Sequence, residues 1–239
     1  MIRRMKNDLF AFLRGTVAGL LFSAAAAHAG QIQMIVTDKD GKPVPDVVVL
    51  VEASSKAVAV PAPAPVVITQ EGARFVPFLT VLPMGSTLRF VNRDSFDHHV
   101  RSTPSGPLGS VPAAKNFELR LDGIEGAAIV DDYKPQAAPR KRSGVSAAEV
   151  KVDVAGAIGL GCHIHGSMRG QVYVSATPWF AKTDANGVAL IDGVPDGAAE
   201  VSLWHPDQLQ EQPSQRLQVG SAPIKATVQL NFTPRRKRA

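Results

Sequence analysis

Apolar residues in this chain come in short, β-branched runs and never at a sustained helical period. Val47 to Val51 and Thr87 to Val91 are two such runs, each closed off by Gly, Pro, Asp or Asn. Branched side chains pack well on a pleated surface, and the punctuating residues supply the turns between strands. The pattern predicts an all-β protein of sandwich architecture.

The chain opens with basic residues in MIRRMKNDLFAFLR, followed by an apolar run from Gly15 to Ala27 and the small-residue triplet Ala27-His28-Ala29. This order reads as a secretory signal peptide, residues 1–29, cut after Ala29. The run is short for a bilayer crossing, and no later segment reaches the roughly 18 apolar residues a span needs. The mature chain is therefore expected to be soluble and periplasmic, with no membrane span. Losing Arg3, Arg4, Lys6 and Arg14 together with Asp8 lowers the formal charge of +5 by three. What excess remains sits in Arg140-Lys141-Arg142 and in the basic tail, residues 233–239, so a nucleic-acid partner is not expected.

One cysteine stands in a chain bound for an oxidising compartment, where it has no partner for an internal disulfide. Its neighbours give it another use. Cys162, His165 and Met168 follow one another at intervals of three in Leu160-Gly161-Cys162-His163-Ile164-His165-Gly166-Ser167-Met168-Arg169-Gly170. A thiolate, two imidazoles and a long thioether contact form the donor set of type 1 copper. Zinc also accepts Cys and His, although a structural zinc site usually lacks a methionine in register. A second imidazole is available upstream, where Phe90-Val91-Asn92-Arg93-Asp94-Ser95-Phe96-Asp97 leads into His98-His99-Val100. Successive strand side chains face opposite ways, so only one of His98 and His99 can point at the loop. The same choice arises between His163 and His165, and the spacing favours His165.

These two segments resemble the cupredoxins, the family of plastocyanin, pseudoazurin and amicyanin. In that family an Asn-containing turn precedes the first ligand, and Cys, His and Met return together on a late hairpin. The resemblance implies a Greek-key β-sandwich over residues 61–178 that holds one copper ion through His98, Cys162, His165 and, on the axis, Met168. Met168-Arg169-Gly170-Gln171-Val172 is similar to the lead into the family's last strand, and the Cys-x-x-His-x-x-Met spacing resembles the amicyanin loop. Where plastocyanin-like proteins often carry Asn after the first ligand, this chain has His99. Together with Lys115-Asn116-Phe117-Glu118-Leu119 and Thr177-Pro178-Trp179-Phe180-Ala181, the two segments resemble a bacterial group of periplasmic proteins labelled methylamine utilization proteins.

Two further stretches flank that region. Gln31 to Val49 holds two strand-like runs around Asp40-Gly41, a hairpin signal, and Thr183-Asp184-Ala185-Asn186-Gly187 and Val194-Pro195-Asp196-Gly197 mark later turns. Read end to end they resemble the prealbumin-like carboxypeptidase regulatory domain. The resemblance implies a second, smaller β-sandwich split between residues 30–60 and 179–232, with the copper domain inserted and Pro61-Ala62-Pro63-Ala64-Pro65 as a stiff crossing. The alternative is one enlarged sandwich in which the N-terminal hairpin extends the cupredoxin sheet. Leu121 to Ala148 lacks periodicity and reads as a long inserted loop, with Asp131-Asp132-Tyr133 and Arg140-Lys141-Arg142 as charged features.

The function this implies is electron transfer by a mononuclear copper site, with a transient redox protein as partner and a monomeric chain. No hydrolase motif is present, and a site filled by protein donors leaves no position for substrate, so an enzyme is not expected. The alternatives are copper buffering or delivery, and a metal-free binding module.

Overall fold

The computed structural model describes residues 29–54, 64–124 and 145–235. The expected leader up to His28, most of the Pro61–Pro65 crossing, both charged features of the inserted loop and the tail beyond Arg235 lie outside the described residues. In chain order the strands are β1 (Ala29–Thr37), β2 (Val48–Ala53), β3 (Val66–Gln70), β4 (Phe75–Val76), β5 (Leu79–Pro83), β6 (Ser86–Asn92), β7 (His98–Thr103) and β8 (Glu118–Leu121). They continue with β9 (Ala147–Val152), β10 (Gly156–Cys162), β11 (Arg169–Ser175), β12 (Trp179–Lys182), β13 (Val188–Pro195), β14 (Gly197–Trp204), β15 (Gln215–Val219) and β16 (Ile224–Gln229). The all-β expectation holds: a single 3-10 turn at Pro107–Gly109 is the only helical element among the described residues.

Side-chain alternation sets the layers. Along β6, Ser86, Leu88, Phe90 and Asn92 are buried while Arg89 is exposed. Along β1, Ile32, Met34 and Val36 are buried and the residues between them are half-buried. Strands β3 to β11 form two sheets, ordered β4-β3-β6-β9 and β5-β11-β10-β7-β8. They close on a core that includes Ile68, Leu82, Phe90, Val100, Ile158 and Val172. A separate core, with Ile32, Met34, Val49, Val201 and Leu203 among its members, fills the space between sheets β13-β1-β16 and β12-β2-β14-β15. Strands from the two ends of the chain thus share sheets: β1 runs parallel to β16 and antiparallel to β13, and β2 lies between β12 and β14. Neither β1 nor β2 joins a sheet of β3 to β11.

The Asp40-Gly41 turn does not make the hairpin expected of it. A tight turn is present, with Gly41 at φ +77° and its N–H donating to the Asp38 carbonyl at 2.9 Å. Beyond it Pro43 and Pro45 lack the N–H groups a strand ladder needs. Antiparallel pairing stops at the single bridge Thr37↔Pro43, and the chain crosses to the opposite sheet before β2 begins.

The two sandwiches meet along a third cluster. Val48 and Trp204 from one pack against Leu79 and Ala157 from the other, and the Trp204 ring lies 4.9 Å from that of Tyr173. Lys182 Nζ donates to the Leu79 carbonyl at 3.2 Å and pairs with Asp46 at 2.9 Å. This seam lies at the start of β10. Cys162 closes the same strand five residues on, about 17 Å away at the usual strand rise.

Candidate metal centre

Three elements deliver three donors to one point. Strand β7 starts with His98, which is fully buried, and β10 ends with Cys162, which is 2 % exposed. Pairing of β7 with β10 sets Cys162 opposite Val100, so the His98 and Cys162 side chains enter the same interior. His165 follows in the connecting loop, which a Met168 N–H to His165 carbonyl hydrogen bond of 3.0 Å closes. Cys162 Sγ lies 3.7 Å from His98 Nδ1 and 3.6 Å from His165 Nδ1. All three donor atoms fall within 4.8 Å of one another. Met168 is buried in the same core cluster as Cys162.

Those separations suit a shared ion. A thiolate sulfur about 2.3 Å and an imidazole nitrogen about 2.0 Å from one metal, at angles of about 110–120°, stand about 3.5–3.8 Å apart. The donor chemistry fits as well. Burial works against ionisation of Cys162, but hydrogen bonding from His98, the His99 and His165 backbone N–H groups and the His165 ring outweighs it, lowering the thiol from 9.0 to about 6. The His99 N–H approaches the sulfur at 3.5 Å. His98 shifts the other way. Burial opposes its protonation, yet Cys162 and Asp94 more than offset that and raise it above 6.5.

A testable consequence follows for metal-free protein. Its thiolate absorbance should titrate with a midpoint near the lowered value of about 6 and be absent from Cys162→Ser. A depressed folded value means that this ionisation stabilises the fold fully above the unfolded thiol value and that the contribution fades as pH falls through about 6. A midpoint left at the ordinary thiol value would contradict the hydrogen-bonded thiolate.

Asp94, which no sequence motif marks, also belongs to the site. Its Oδ2 lies 2.8 Å from His98 Nε2, the ring nitrogen facing away from Cys162. The carboxylate also accepts the Gly72 N–H at 2.7 Å and the Ala73 N–H at 3.1 Å, and is itself 6 % exposed. Such a partner fixes the tautomer and orientation of a ligating imidazole. Asn92 steadies the turn from below, donating to the Phe96 and Asp122 carbonyls and accepting the Asp94 N–H. Gly123 lets the turn pack closely, since a Cβ there would lie 2.3 Å from the Ser95 carbonyl oxygen. Phe96 caps the site, its ring 5.2 Å from His98 and 5.0 Å from His165. The unselected histidines face elsewhere: His99 is half-buried and pairs with Glu118, and His163 is exposed.

No protein-family model matches the sequence, and no curated protein does. Solved structures similar to part of the chain include a purple cupredoxin from Nitrosopumilus maritimus, at 18% identity and TM-score 0.31 over 46% of this chain and 99% of that one. An oxidized amicyanin variant matches at 19% identity and TM-score 0.30, over 52% of this chain and 98% of its own. A copper-containing nitrite reductase from Thermus scotoductus matches at 19% identity and TM-score 0.34, over 59% of this chain and 28% of the reductase. Likenesses at this level do not decide what the pocket holds; its own side chains do.

Proposed function

We propose that this chain is a periplasmic type 1 copper protein of the cupredoxin kind, which would hold one ion through His98, Cys162 and His165 with Met168 as a fourth, thioether donor, and that it carries electrons. The convergence of one stabilised thiolate and two imidazole nitrogens in a buried pocket supports this reading above all else. Two imidazoles and a thiolate suit copper in both oxidation states, whereas hard cations that seek an all-oxygen shell would find none in this donor set. Copper bound there would supply one-electron chemistry, passing between Cu(I) and Cu(II).

The protein's own contribution is to hold the donors still. His98 is clamped between Asp94 and the strand, Cys162 is fixed by the β7–β10 pairing, and the Phe96 ring packs against both imidazoles. His165 is the half-exposed donor, and Ile164 beside it is 55 % exposed. An imidazole edge in a small apolar patch supports short-lived docking with a redox protein, since encounters of this kind bury little area. With every donor drawn from the chain, the reading is that of a carrier and not of an enzyme.

Purified protein given Cu(II) should develop the intense visible thiolate-to-copper band, and Cys162→Ser should lose it while keeping its far-ultraviolet circular dichroism. Colour retained in Cys162→Ser would overturn the assignment. Rapid surrender of copper to a mild chelator would favour copper delivery over electron carriage.

A further inference from the structure

The alternation that turns His98 inward turns His99 outward, and the chain beyond Cys162 places His163 beside it on the outer surface. The backbone fixes that neighbourhood: the His163 N–H donates to the His99 carbonyl at 3.0 Å. The two rings lie 5.6 Å apart at 54°. On the adjoining strand β8, Glu118 brings a carboxylate oxygen 3.0 Å from His99 Nε2, with side chains 32 % and 58 % exposed for His99 and Glu118. Arg120 stands across from His99 in register, and its guanidinium pairs with Asp97 at 3.0 Å.

We propose that His99 and His163, with Glu118 as third donor, form a second, solvent-facing metal site that takes one borderline divalent ion such as Zn(II), Ni(II) or Cu(II). Imidazole pairs suit these ions, and a carboxylate completes a neutralising set. Directly opposed residues on neighbouring strands have Cβ atoms about 4.5–5.5 Å apart, close enough for two imidazoles to converge on an ion about 2.0–2.1 Å from each. The cross-strand hydrogen bond already holds the backbone, so binding needs rotation of the half-buried His99 and the exposed His163 and Glu118 side chains to bring their donor atoms together. The exposed His99–Glu118 pair that must yield is of a weak class. The site lies back to back with the buried donors, separated by the β7–β10 ladder, and does not depend on what the buried pocket holds.

Calorimetric titration of Zn(II) into the metal-free full chain tests it. Two binding steps are expected for the native sequence. His163→Gln should lose the weaker step and keep the tighter one, and Glu118→Gln should weaken only the weaker step. Cys162→Ser should do the reverse, losing the tighter step alone. A single step in the native protein, or a weaker step that survives in His163→Gln, overturns the outer site. Two unchanged steps in Cys162→Ser would instead overturn the buried one.

Discussion

Replacing Asp94 with alanine is expected to lower the stability of the metal-free protein by about 3 kcal/mol, at the low end of the range for breaking one side of a buried charged pair. The carboxylate accepts from His98, Gly72 and Ala73. Alanine leaves the buried His98 nitrogen and the more accessible Gly72 and Ala73 N–H groups without their acceptor, and each unmade hydrogen bond costs about 1–3 kcal/mol when no water replaces it. Some water will enter, which is why the expectation stays below the sum. Affinity for copper should fall about 10–100-fold, because the imidazole loses the partner that fixes its orientation. Asp94→Asn separates the two effects. It keeps one acceptor oxygen, enough for the Gly72 N–H, and removes the negative charge, so only part of the stability should return while the reduction potential rises, Cu(II) having lost a nearby anion. Urea melts, a competitive chelator titration and voltammetry measure the three quantities. Copper affinity within twofold of the native value in Asp94→Ala would show that the carboxylate does not orient His98.

Trp204→Ala should cost about 3–5 kcal/mol, as expected for deleting a large buried aromatic. Trp204 is 8 % exposed, contacts the Tyr173 ring and belongs to the cluster in which the two sandwiches meet. The loss is therefore one of coupling. Denaturation should change from one transition to two as the sandwiches unfold separately. Copper affinity should stay unchanged, since the donors sit at the opposite end of β10 from the seam. A single transition with copper affinity falling in step would mean that the two halves are not separable in this way.

The strand pattern was legible as short β-branched runs closed by turn residues, such as Thr87 to Val91, which falls within β6; that polar Ser86 and Asn92 share its buried face with Leu88 and Phe90 was not. The grouping of Cys162 and His165 was legible because three residues of a tight loop cannot separate far. His98 joined them through strand alternation, which allows only one of a His pair to face inward, and the fully buried ring is that of His98. Asp94 was not legible. A polar residue in a turn before a histidine has many possible partners, and only the packing of Gly72 and Ala73 against that turn aims the carboxylate at Nε2. The Asp40-Gly41 turn misled for a related reason. Asp40-Gly41 does form a tight turn, but the two prolines after it decide which sheet the next strand enters.

The sheet between the chain ends carries a consequence for biogenesis. Val51 stands across from Trp179, so the chain leaves and returns through one strand spacing, while β1 waits for β16, the last strand among the described residues. The sandwich of β3 to β11 is complete in the nascent polypeptide well before that closing strand exists. It is thus expected to reach its final shape first, with the second sandwich closing only once β16 has emerged.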